Sequence, residues 1–192
     1  MNWIQQNKKY LTLFSLALLM ALTRSSHFGS AISLPDASLA AFYLAGIFSG
    51  GLISLVVLLS EAALLDYISI TQFNVSDYCI SPAYVFLIPT YATMFIAGKW
   101  SAKYASFSLR DVAMQLTYIV VASSVAFLIS NGSFYFLSGK FADLSWLQYS
   151  ERVAQYYSPY VSSTLIYSSV ILCCTKLVAM LNKSEESLEV LN

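Results

Sequence analysis

Long apolar runs recur between residues 9 and 181 of this chain, separated by short polar or glycine-bearing breaks. That spacing constrains the fold more than any other feature. A hydrocarbon core of about 30 Å is crossed by about 20 apolar residues of helix at 1.5 Å each. Lipid offers backbone groups no partner, so spanning segments must satisfy their own hydrogen bonds, as helices do. The chain is 58% hydrophobic and 10% charged, whereas soluble domains carry about a quarter charged residues. The expected architecture is therefore an all-α integral membrane protein of six transmembrane helices. It forms a single domain over residues 1–192, with no room for a second, soluble one.

The breaks set the helix boundaries. A first helix is expected over about residues 9–24, ended by the polar stretch 25–33 that holds His27. This run follows Lys8 and Lys9 but has no small-residue cleavage site before Arg24, so it reads as a helix and not a signal peptide. The apolar stretch 36–70 is too long for one span, and Ser49-Gly50-Gly51 divides it. Glycine permits the tight turn between two antiparallel helices, about 36–49 and 52–70. The polar segment TQFNVSDYC precedes a fourth helix over about 82–98, with Pro89 expected to kink its interior. A basic, aromatic connector over 99–110 suits a headgroup interface. The fifth helix is expected over 111–137, with Asn131-Gly132 marking a bend or an earlier stop. Residues 140–158 read as the longest hydrophilic loop, and the sixth helix, 159–181, opens at Pro159 as a first-turn proline would.

Alternating the loops between two sides tests the topology. One side collects Lys8, Lys9, Lys99, Lys103, Arg110, Lys176 and Lys183; the other holds Arg24, Lys140 and Arg152. Basic residues favour the cytoplasmic side of short loops, which puts both termini in the cytoplasm. Ten basic and ten acidic residues cancel, which removes the electrostatic footprint of a nucleic-acid binder. The chain contains no GxxxxGK[ST] loop and so no ATP site of that kind.

This orientation gathers His27, Asp66, Asp77, Cys79, Tyr84 and Arg152 on the external face, from four separate segments. External loops are where polar residues belong, so co-location alone decides nothing. Asp66 is more telling, because it ends the apolar run EAALLDY, where an ionised carboxylate needs a partner. Arg152 and His27 are the candidates. Glu61, deeper in the same run, reads as structural, either protonated or paired inside the bundle. Cys173 and Cys174 lie inside the sixth helix and read as packing residues.

Three cysteines provide no disulfide framework and no CxxC pair, leaving Cys79 as a lone loop thiol. One reading is a partly buried spectator. The other is a thiolate, favoured by a nearby cation and suited to a soft metal. A single thiolate cannot close a metal site, so most coordination would come from a macrocycle that leaves one axial position to the protein. Tyr84 starts the fourth helix near the same mouth, although tyrosine is equally an interfacial residue. In ALLMA, Ala17 and Ala21 have the small-xxx-small spacing that lets another helix approach closely.

The set resembles the S components of energy-coupling-factor (ECF) vitamin transporters, and more closely the BtuM family of small cobalamin transporters. The resemblance runs over essentially the whole chain. It is carried by ALLMA, by His27 in RSSHFG, by Asp66 in LLDY, by Cys79 and Tyr84 in SDYCISPAY, and by Arg152. It implies a bacterial inner-membrane protein that binds cobalamin or cobinamide from the periplasmic side. Cys79 would be the axial cobalt ligand, and His27, Asp66, Tyr84 and Arg152 would line the site beneath the 140–158 loop. It also implies docking of an energising module on Ala17 and Ala21. A second, enzymatic expectation is that the Cys79 thiolate strips cyanide from cyanocobalamin, because a strong thiolate donor on one cobalt face should labilise the other. Two other classes stay open: an S component for another vitamin, and a membrane thiol enzyme using Cys79, His27 and Asp66 as nucleophile, base and orienter.

Overall fold

The computed structural model describes residues 3–24, 34–73, 81–141 and 145–189. Six α-helices run in the order α1 (Trp3–Arg24), α2 (Ser38–Phe48), α3 (Leu52–Phe73), α4 (Leu87–Ser101), α5 (Leu109–Leu137) and α6 (Trp146–Glu189). A 3-10 turn, Pro82–Phe86, leads into α4. The all-α expectation is met. Among the described residues, three helices are long and apolar enough to cross a membrane: α3, α5 and the Trp146–Leu181 part of α6.

The short helix α2 lies at the centre, with every residue from Ser38 to Gly46 buried. A helix that is apolar all round belongs in an interior, and its 11 residues reach only about 16 Å at 1.5 Å per residue. Its closest neighbour is α4. A Cβ on Gly46 would collide with the Phe95 carbonyl, and one on Gly98 with the Tyr43 carbonyl, so the two backbones touch where both residues lack side chains. Phe42 and Tyr91 stack across the same pair with ring centroids 4.2 Å apart. The Tyr43 hydroxyl donates to Ser101 Oγ at 2.8 Å. Around this seam Leu16 and Met20 of α1, Leu58 and Ala62 of α3, and Ile119 and Ala126 of α5 complete the buried core.

The glycine turn stands where expected. Gly50 has φ +58° and donates its backbone N–H to the Ala45 carbonyl at 3.0 Å. An L side chain pays a steric penalty in that left-handed region, and glycine does not. Ser49 and Ser54 join their hydroxyls across the turn.

Three expectations about helices are corrected. Pro89 is the third residue of α4, in the first turn, where a missing N–H breaks no helical bond. The Asn131-Gly132 pair does not end α5, which continues to Leu137. The 140–158 segment is mostly helix, because α6 starts at Trp146 and carries Pro159 in its interior. A capping box explains that early start: Gln148 N–H donates to Ser145 Oγ at 3.3 Å, and Ser145 N–H donates to Gln148 Oε1 at 3.0 Å. Cys173 and Cys174 are also not packing residues, since both are exposed on α6.

Candidate functional site

α1, α3 and α5 end, and α2 and α4 begin, at one end of the bundle. There the helices enclose a cavity of about 510 Å³ lined by residues of all six, among them Arg24, Asp36, Asp66, Tyr84, Tyr91, Asn131 and Tyr160. That volume lies within the 300–1,000 Å³ of small-molecule sites. Leu39, Leu87, Phe127, Phe134 and Tyr156 give it a largely apolar wall.

The floor is a polar network centred on Arg24, which is only 8% exposed. Its Nε donates to Asp66 Oδ1 and its Nη2 to Asp66 Oδ2, both at 2.6 Å, making a bidentate pair. Its Nη1 donates to Ser38 Oγ at 3.0 Å and to the Tyr91 hydroxyl at 2.6 Å. The Tyr84 hydroxyl adds a third bond to Asp66, donating to Oδ2 at 2.7 Å. Asp36 Oδ2 lies 3.8 Å from Arg24 Nη1. The hub therefore ties α1 to α2, α3, α4 and the 3-10 turn. A buried arginine satisfied this fully carries no uncompensated charge, whereas loss of either partner would leave one.

Two expected site residues meet here, Asp66 and Tyr84. The partner of Asp66 is Arg24, not Arg152. Arg152 is exposed on α6 with its guanidinium 5.5 Å from the Phe141 ring centroid, beside Gln148, Glu151 and Gln155, and does not line the cavity. Its place on the helical extension of α6, and not on a loop folding over the cavity, accounts for that separation. His27, Cys79 and Asp77 lie outside the described residues. His27 belongs to the segment joining Arg24 to Pro35, and Cys79 to the segment joining Ile70 to Ala83; all four of those residues line the cavity. Ala17 is half-buried against the core, and Ala21 is half-buried too, beside an exposed stripe of Tyr10, Phe14, Leu18 and Leu22. Glu61 is half-buried, and its Oε2 has no hydrogen-bond partner.

Sequence reasoning missed Arg24, Asp36, Tyr91 and Asn131. Arg24 carried a signal, as a cation closing an apolar run, but was counted only as a loop charge. The fold and site define a helical bundle, three of its helices able to cross a membrane, with a polar-floored cavity at one end. No model of a known protein family matches the chain, and no curated protein sequence matches it.

Proposed function

We propose that this protein is a multi-pass transporter of the bacterial inner membrane that binds cobalamin or cobinamide from the periplasmic side and carries it inward. In a six-helix arrangement that crosses the membrane, the bias of basic residues toward one side supports cytoplasmic termini. The observation that carries the proposal is the cavity, where Asp66 and Tyr84 join at a buried Arg24. It is lined by Arg24, Pro35, Ile70 and Ala83, between which His27 and Cys79 fall in the sequence. An apolar wall with a few convergent polar groups is the usual make-up of a small-molecule site.

In this mechanism Cys79 is the axial ligand of the substrate's cobalt, as the resemblance to the BtuM family implies, and His27 orients the ligand or tunes the thiol. Thiolate donation to one cobalt face weakens the bond to cyanide on the other, so cyanide leaves cyanocobalamin as the anion with no change in cobalt oxidation state. The apolar stripe and the Ala17 and Ala21 face of α1 are where an ECF energising module would dock.

The test is absorbance spectroscopy of the purified protein with cyanocobalamin. Tight binding with a changed spectrum is expected, lost in Cys79→Ala; full binding and uptake by Cys79→Ala liposomes would overturn the role of the thiol. The 510 Å³ volume favours a second reading, an S component for a smaller vitamin, since ligands of drug size fill such cavities. Purified protein that stays colourless after incubation with cobalamin would select it.

A further inference from the structure

The charge and hydrogen-bond ledger of the cavity floor is uneven. Four of the five N–H donors of Arg24 are engaged by Asp66, Ser38 and Tyr91. An anionic ligand would therefore find almost no free donor on the one cation of the described lining. The acceptors are not used up. Asp36 gives Oδ1 to Ser38, whose N–H donates at 2.9 Å and whose hydroxyl donates at 2.6 Å. Its Oδ2 stands 3.8 Å from Arg24, and the side chain keeps 33% of its surface exposed. Asn131 Oδ1, in the α5 wall, is buried and has no hydrogen-bond partner. One positive charge against two negative ones leaves the described lining with a net charge of minus one.

From this we infer that the cavity selects a solute presenting a positive charge or several N–H donors, read by Asp36 on the α2 side and by Asn131 on the α5 side. The inference rests on the cavity being the ligand site, as proposed above. The chemistry is that of buried acceptors: an orphaned carbonyl oxygen in an apolar wall costs free energy until a donor reaches it. A carboxylate ligand would face Asp36 with no free cation to offset the repulsion. Primary amides along the rim of a macrocycle meet both acceptors, and so does a smaller cation that also bears an amino group, its charge facing Asp36 and its N–H reaching Asn131 Oδ1.

Three probes separate the possibilities on protein in lipid nanodiscs: cobinamide, rich in primary amides; thiamine, a cation; and biotin, a carboxylate. Binding of cobinamide or thiamine but not biotin is expected, read by isothermal titration and by ligand-induced thermal shift. Asp36→Asn keeps an acceptor for the α2 N-terminus and removes the charge, and Asn131→Leu removes the orphan acceptor. Each is expected to weaken binding about tenfold, the loss of one hydrogen bond to a charged or buried group. The unliganded melting temperature should stay at the parent value in Asp36→Asn and should not fall in Asn131→Leu, which relieves the cost of the orphaned oxygen; weaker binding without lower stability separates recognition from folding. Asp36-dependent binding of thiamine with no binding of cobinamide would refute the corrinoid proposal and keep this one. Cobinamide binding unchanged in both variants would do the reverse. Preference for biotin, or no binding of thiamine and cobinamide alike, would overturn the inference.

Discussion

α2 and α4 lie against each other along their length, yet their two ends do opposite things. At Gly46 and Gly98 the backbones meet with no side chain between them, and Tyr43 bonds Ser101 beside the contact. At the other end Ser38 and Tyr91 hold Arg24 instead, and the helices border a cavity. A void persists only where surrounding elements cannot collapse into it. The glycine seam pins the two backbones at one end, and the bidentate Arg24–Asp66 pair ties α1 to α3 at the other. A dry seam and an open, polar-floored site are thus two products of one helix pair.

The largest expected effect breaks the polar end. Arg24→Met removes the buried cation and leaves the half-buried Asp66 carboxylate with only the Tyr84 bond, and should cost about 3 kcal/mol in thermal unfolding, the lower end for broken buried pairs. Combining it with Asp66→Leu should restore most of the stability while ligand binding stays lost, and a double variant that binds normally would make the pair a mere strut. Next comes the seam. Gly98→Ala places a Cβ against the Tyr43 carbonyl and should cost about 1–3 kcal/mol, the range for overpacking, lowering melting temperature and ligand affinity together. Gly132→Ala meets nothing within 4 Å and should change neither. If both alanine variants behave alike, the seam does not support the cavity. Tyr84→Phe removes one of three bonds to Asp66 and should cost about 1 kcal/mol, visible in denaturation and in weaker binding. The smallest effect is expected from Arg152→Gln, which gives up an exposed cation–π contact worth about 0.5 kcal/mol and leaves cavity affinity unchanged by titration.

Local signals were legible where they were strong. Apolar runs located all six helices, and Ser49-Gly50-Gly51 marked the turn that Gly50 makes with its positive φ. The prolines misled. Pro159 resembled a helix start because its missing N–H is harmless there, but the capping box of Ser145 and Gln148 had already begun the helix. Asp66 was recognised as a carboxylate in need of a partner, because its place at the end of an apolar run is a one-dimensional fact. Its partner was not recognised, because Arg24 stands 42 residues away on another helix. Asn131 looked like a helix breaker in sequence; only the α5 wall shows its oxygen facing no donor.

By itself, then, the sequence determined that this chain is helical, that six apolar segments form its helices, and that Asp66 cannot stand alone. Periodicity, hydrophobicity and the cost of a bare charge act through near neighbours in the chain, so they can be read from it. Tertiary structure alone decided that Arg24 pairs with Asp66, that Gly46 meets Gly98, and that Arg152 stays outside the cavity. Those outcomes depend on which helices touch and at what height, and packing among six helices settles that collectively.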